Sequence, residues 1–448
     1  MKNIKLTVFL GLLLCLGCKK FLAEKADSKL ATPTTLTDLQ ALLDHYQVLN
    51  QVDGATSEAS GTDYYLTDAD FATQNEANQR MYTWQKSNIY ASTGNEWFYN
   101  YRALYRANSV IEFLGAIPMD TGNQQQWQNI KGMAHYYRAK NLLKTLFAYA
   151  ISYNPTSASQ DLGVPIRLST DFNEKSIRES VDNGYKQVIA DLQLAISNLP
   201  NTQSHVMRPN KPAAYALLAR TYLSMNQYAL AFESADASIK LKGDLMDYNT
   251  LTASATYPIA QFNVEVLHDS FSPATLLNNT RAKVSAEVMA LYESNDIRST
   301  VLFKNNGNGT FAFKGSYEGT LNPFSGVATD EVYLMRAECL ARMNRLPEAL
   351  ADLNLLLKKR YRINTFIALQ STNQTQVTDW VLKERRKELL FRGLRWMDIK
   401  RLNLMGAGIS LKKMVNGKEY ALQPNDKGFA LPIPDDVIAL SGMPQNSY

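Results

Sequence analysis

Residues Glu384-Arg-Arg-Lys-Glu-Leu-Leu-Phe-Arg-Gly-Leu-Arg-Trp-Met-Asp-Ile-Lys-Arg401 set charges of both signs three positions apart, as at Glu384 with Lys387 and Asp398 with Arg401. On an α-helix residues so spaced are neighbours and can pair. The stretch therefore predicts one salt-bridged helix lying over a scaffold. Gly393 within it would cost about 1 kcal/mol relative to alanine, which a close backbone approach to another element would explain.

Upstream, a helical pattern at 330–343 is followed by a second at 347–361, and the same pairing occurs at 212–225 and 228–241. Laying Tyr215 over Tyr333, a shift of 118 residues, aligns Ala219 with Ala337, Tyr222 with Leu340, Met225-Asn226 with Met343-Asn344, and Ala231 with Ala349. Small residues recur where two antiparallel helices would touch, the pattern of a tetratricopeptide-like helix pair. Further helical patterns cover 96–116, 125–150 and 177–199, and an earlier one starts with Leu36, Leu39, Leu42, Leu43 and Tyr46 on one face. The expected fold class is mainly α: a tetratricopeptide-like helix-pair scaffold, at about 96–241 and 330–402. Large irregular loop excursions, at about 51–95 and 242–329, interrupt it, and a segment 403–448 closes it. Residues 36–448 read as one domain.

At the other end, Lys2 and Lys5 precede an apolar run from Leu6 to Leu16 that ends at Gly17-Cys18. Charge followed by a short hydrophobic stretch is a secretory signal, here 1–17, and the run is too short to span a bilayer. The Gly-Cys end resembles a lipobox, in which the cysteine, here Cys18, is acylated and becomes the new N-terminus. Residues 18–35, with little periodicity, would then be the lipidated N-terminus and tether. Cleavage removes Cys15 and acylation consumes Cys18, so Cys339 alone remains and no intramolecular disulfide is expected.

The chain has 448 residues, 45% hydrophobic and 20% charged, with 24 Tyr, 17 Phe and 5 Trp. The formal charge of +5 shrinks when Lys2 and Lys5 leave with the signal, and is too small to imply nucleic acid. His45, His135, His205 and His268 have no metal-ligand spacing. No nucleotide-binding glycine loop and no nucleophile elbow occurs. An enzyme is not expected, nor a cofactor or metal.

The helix quoted first, together with Val332-Tyr-Leu-Met-Arg-Ala-Glu338, Leu431-Pro-Ile-Pro434 and Gln445-Asn-Ser-Tyr448, resembles the SusD/RagB family of nutrient-binding lipoproteins of Bacteroidota. That family typically carries E-R-R-x-E-L-x-x-E-G-x-R-W-x-D-L-x-R, a P-I-P segment and a Q-N-x-G-Y-like end. Arg392 stands where the family usually has Glu. Further resemblance lies in Tyr105-Arg-Ala-Asn108, Asp161-Leu-Gly-Val-Pro165 and Lys211-Pro-Ala-Ala-Tyr-Ala-Leu-Leu-Ala-Arg220. It implies a lipoprotein anchored at the cell outer membrane, facing the exterior. Such a protein would bind a glycan or other nutrient and act with a SusC-like TonB-dependent transporter. A protein-interaction scaffold or a peptide-capture lipoprotein is the alternative.

The ligand site is expected on the excursions. If the segment Arg80 to Tyr90 is extended, Arg80, Tyr82, Trp84, Asn88 and Tyr90 share even parity and point to one face. Rings beside a guanidinium and an amide suit a hydroxyl-rich ligand, and Tyr257 and Tyr317 are the candidates from the second excursion.

Overall fold

The structure, a computed structural model, describes residues 32–91, 94–273 and 276–447. Cys18 and the signal segment lie outside the described residues. Helix α1 (Leu36–Leu43) starts at a capping box between Thr35 and Asp38, and α2 (Tyr46–Leu49) follows. The first excursion holds α3 (Thr56–Ala59), β1 (Tyr64–Tyr65), α4 (Asp68–Ala72) and α5 (Glu76–Tyr82). Then come the long helices α6 (Glu96–Leu114) and α7 (Gln124–Tyr149). A ribbon of β2 (Leu162–Pro165) and β3 (Arg178–Ser180) leads to α8 (Val181–Asn198), α9 (Lys211–Ser224) and α10 (Tyr228–Leu241).

The second excursion contains β4 (Val266–His268), β5 (Lys283–Val284), α11 (Ala286–Met289), α12 (Arg298–Val301), β6 (Phe303–Asn305), β7 (Phe311–Phe313) and β8 (Val327–Ala328). The chain closes with α13 (Thr329–Arg342), α14 (Leu346–Lys358), α15 (Gln374–Glu388), α16 (Arg395–Leu404), the hairpin β9 (Leu411–Val415) and β10 (Lys418–Leu422), and α17 (Asp435–Ser441). The fold is mainly α, and its strands form only two-stranded pairs.

The helices pack in a continuous row: α6 on α7, α7 on α8, α8 on α9, α9 on α10, α10 on α13, and α13 on both α14 and α15. The sequence shift of 118 carries α9 onto α13. Each of these two helices is followed within two residues by a left-handed asparagine, Asn226 (φ 57°) and Asn344 (φ 59°). Asparagine accepts that conformation more readily than other side chains. Arg220 on α9 then reaches across to Glu331 on α13 at 2.7 Å, so the two repeats are joined by a buried ion pair as well as by apolar packing.

The stretch 384–401 departs from the single helix expected. Helix α15 ends at Glu388, a turn follows, and α16 begins at Arg395. Phe391 (φ 57°) and Gly393 (φ 73°) both lie in the left-handed region. A Cβ at Gly393 would meet nothing within 4 Å. The glycine therefore serves the backbone angle, and the expected close approach is not its reason. The charge pairs themselves are present, Lys387 with Glu384 at 2.9 Å and Arg401 with Asp398 at 2.8 Å. They are buried rather than solvated. Arg401 also reaches Glu338 at 2.7 Å, so the two most distinctive sequence segments meet in space.

The excursions are less irregular than their composition suggests. Strand β1 pairs with β5, Tyr64 opposite Val284 and Tyr65 opposite Lys283. Around that pairing Tyr82, Ile89, Val266, Phe303, Phe313, Phe324 and Phe391 close a second apolar core beside the helical one. The aromatics of the loops are mostly its filling.

Candidate functional site

The structure redistributes the seven residues expected to bind ligand. Residues 76–82 are helical, so the even-parity face does not exist: the capped start at Asn75, whose side chain accepts from Asn78 N, commits the segment to a turn of 3.6 residues. Tyr82 is 1% exposed and accepts a hydrogen bond from Leu66 N at 3.0 Å. Trp84 donates Nε1–H to the Ser60 carbonyl at 3.0 Å. The side-chain nitrogen of buried Lys413, from β9, sits 3.9 Å from the Tyr82 ring centre, 4.9 Å from Trp84 and 5.4 Å from Tyr64. The rings expected to face a ligand thus face a lysine of the chain itself.

Arg80 pairs with Glu76 at 2.6 Å on the surface. Asn88 donates its backbone N–H to Asp435 at 2.7 Å. Tyr317 is 2% exposed, its hydroxyl set against the Glu265 and Asp330 carboxylates. Tyr257 is exposed and lies beside Gly315. Tyr90 lines a cleft of about 260 Å³ together with Asn75, Asn78, Asn95 and Tyr99. The expected group is therefore not brought together, and burial removes Tyr82 and Tyr317 from it.

A larger cleft, about 540 Å³, opens on the other side of Asn95 along α6. Its wall is formed by Phe98, Tyr101, Arg102 and Tyr105 of α6. The loop after β2 adds Phe172, and α17 adds Asp436. Positions 98, 102 and 105 share one face of the helix. Phe98 is 45% exposed, Tyr105 40% and Phe172 83%. The rings of Tyr105 and Phe172 stack, with centroids 5.2 Å apart and planes at 27°.

The loop carrying Phe172 is held open by Arg167, which donates to the carbonyls of Glu174 and Asp171, each at 2.5 Å. Further along the same side of α6 the Asn108 amide fixes the same loop by donating to the Arg167 carbonyl at 2.8 Å. Tyr101 holds the strand before it, donating to the Pro165 carbonyl at 2.8 Å. Exposed rings on a fixed frame are unusual for a folded chain unless they meet something. The signal was legible as an aromatic excess on α6, where Trp97, Phe98, Tyr99, Tyr101 and Tyr105 occupy more faces than one core needs.

Metal-like geometry occurs once among the described residues. Glu265, Asp330 and Glu388 bring oxygens within 4.8 Å of one another. Guanidinia already occupy the place a cation would take: Arg360 bridges Glu265 and Glu388 at 2.7 Å each, and Arg392 pairs with Asp330. Arg392 also lies over the Tyr317 ring at 4.7 Å, which accounts for arginine at its position. None of the four histidines lines the large cleft. His135 is bonded to Asp191 at 2.7 Å and His268 lies 3.1 Å from the Asn50 amide.

Comparison with known proteins follows this architecture. A family model described as starch-binding, associating with outer membrane, matches residues 20–223, and the SusD family model matches residues 329–446. The chain belongs to the SusD family. Solved structures agree with this SusD-like fold at low identity. A Bacteroides vulgatus protein provisionally assigned to sugar binding superposes with a TM-score of 0.78 at 19% identity, over 93% of this chain and 99% of that one. A SusD superfamily protein of Bacteroides thetaiotaomicron gives 0.71 at 23%, over 92% and 100%. A SusD-like carbohydrate-binding protein of Bacteroides vulgatus gives 0.67 at 18%, over 92% and 97%. No curated protein sequence matches the chain. Among the described residues of this SusD-family chain, no helix is long and apolar enough to cross a membrane.

Proposed function

We propose that this chain is a glycan-capture lipoprotein of the outer membrane, acylated at Cys18, facing the cell exterior and handing an oligosaccharide unchanged to a SusC-like TonB-dependent transporter. The observation that carries the binding step is the fixed aromatic wall of the α6 cleft. The C–H faces of a sugar ring stack on exposed aromatic rings, while amides and charged groups at the margin satisfy its hydroxyls. Phe98, Tyr105 and Phe172 supply the rings, and Asn95 and Asp436 stand at the margin. Family membership supports the anchor and the transporter.

Phe98→Ala and Phe172→Ala are each expected to weaken oligosaccharide binding by about 1–3 kcal/mol, in line with base stacking on aromatic platforms, with thermal unfolding unchanged because both rings are exposed. Titration calorimetry with a panel of oligosaccharides and peptides checks this. Peptide binding without glycan binding would favour the peptide-capture alternative.

Cys18→Ala is expected to move the protein from the membrane pellet to the soluble fraction. Fractionation of cells fed a labelled fatty acid reads the outcome, and label retained on the variant would sink the anchor assignment. A barrel of transporter size should co-purify with the wild-type protein in detergent.

A further inference from the structure

Among the described residues, Arg102 is the one guanidinium of the α6 cleft wall without a carboxylate partner. Its stem and head lie against two rings, with the guanidinium carbon 5.3 Å from the Phe98 centroid and 5.2 Å from that of Tyr99. Its shielded Nε–H has no hydrogen-bond partner among the described residues. Arg106, one turn on, offers only a 3.5 Å contact to the Leu42 carbonyl.

The two arginines form a cationic pair beside His45, whose charged form they disfavour. Burial and then the repulsion of Arg102 hold Arg106 below its ordinary range, and burial followed by both arginines does the same to His45, with no carboxylate opposing either shift. Of the other charges of the cleft, Arg167 and Glu174 are engaged within their own loop, and Asp436 stands exposed at the mouth. Arg167 is tied into its loop and lies 3.7 Å from Glu174, while Glu174 accepts from Ser169 Oγ at 2.6 Å. Asp436, exposed at the mouth, accepts from Val437 N at 2.9 Å.

An uncompensated, half-buried guanidinium is costly unless an anion arrives. Planar arginine donors fit carboxylate and sulfate oxygens in pairs. We infer that the cleft selects anionic oligosaccharides, with a uronate carboxylate or a sulfate ester seated on Arg102, Arg106 reinforcing the field, and the sugar ring stacked on Phe98 and Tyr105. This specificity rests on the glycan-binding function proposed for the same cleft.

The test titrates the full-length protein in detergent with three probes: oligogalacturonate for the carboxylate, oligosaccharides of a sulfated galactan for the sulfate, and maltooligosaccharide as the neutral control. At low salt at least one acidic probe should bind about tenfold or more tighter than the neutral one, and the gap should narrow as ionic strength rises to about 0.5 M. Which acidic probe wins identifies the anion. In Arg102→Gln the ratio of acidic to neutral affinity should collapse towards one, while Arg102→Lys, which keeps charge without the fork, should retain part of it. Equal affinity for acidic and neutral probes, both lost in Phe98→Ala, would overturn the anionic preference and leave the cleft standing. A preference that survives in Arg102→Gln would overturn the role of Arg102. No binding of any probe would remove the glycan-binding function and this inference together.

Discussion

Arg298→Met is expected to destabilise the protein by about 3–5 kcal/mol, the cost typical of leaving buried charges without their partner. Arg298 is fully buried at the start of α12, and its guanidinium reaches Asp296 at 2.7 Å and Glu384 and Glu388 at 2.8 Å each. Burial opposes its charge, and the three carboxylates outweigh that effect, so the arginine stays protonated. Methionine would fill much of the volume but leave three acids facing one another, with only Lys387 and Arg360 to share.

Urea unfolding measures the loss. Adding Glu388→Gln to Arg298→Met should recover part of it, since the two changes touch one network and cannot be additive. A single variant as stable as the wild type would show that the network contributes nothing to holding α15 on the second excursion.

The second large effect is a loss of stability on the alkaline side, set by Asp269 and Glu318. Asp269 and Glu318 are buried side by side, and Glu318 receives a hydrogen bond from Gln261 at 2.9 Å. Burial lifts the Glu318 carboxyl, and Asp269 beside it adds to the rise, to about 9. Burial lifts Asp269 to about 6 against the pull of a hydrogen bond from Glu318. The pair is best satisfied with one shared proton.

An unfolded glutamate releases its proton near pH 4.3. Between there and about pH 9 the folded state therefore holds a proton that the unfolded state has lost, and stability falls as pH rises. Glu318→Gln keeps a donor towards Asp269 and removes the titration. Its unfolding free energy should decline less than that of the wild type between about pH 6 and 9, by an amount on the order of a few kcal/mol. Lys400, pushed down to about 7 by burial, acts in the opposite sense in both proteins and cancels in the comparison. Parallel declines in the two proteins would show that the pair does not titrate in this range.

The scaffold was legible because its signals are local. Apolar period, small contact residues and the repeated Met-Asn turn all lie within one helix pair, and α9, α10, α13 and α14 fall within two residues of their expected bounds at each start. The segment 384–401 was misread at its centre because Phe391, an ordinary helix residue by its neighbours, is held left-handed in a turn whose Gly393 N–H donates to Glu58 at 2.7 Å, far upstream in the chain.

The expected site residues are dispersed for a similar reason. Tyr82 and Trp84 look like surface rings until Lys413 arrives from β9, and Tyr317 until Glu265 and Asp330 surround it. Conversely, the aromatic excess on α6 does not by itself say which rings are exposed, because the exposure of Phe98 and Tyr105 is decided by where the 167–176 loop is pinned. Partners distant in sequence leave no local trace.

Lys413 has a further consequence, for the order in which the chain can fold. Burial holds this lysine well below its ordinary range, and its cage of Tyr64, Tyr82 and Trp84 belongs to the first excursion, while the hairpin that delivers it is near the chain's end. The hairpin meets the first excursion again where Asn416 N donates to Asp68 at 2.8 Å, and α15 meets it where Arg386 grips Asp63 at 2.7 Å. Contacts of such sequence separation form late, because a long loop must close before any of them is rewarded. The helical row from α6 to α10, built from sequence neighbours, can assemble first as a platform. On that ground the second core, with the aromatic cage, is expected to close last, and its closure sets the time for which apolar surface stays uncovered.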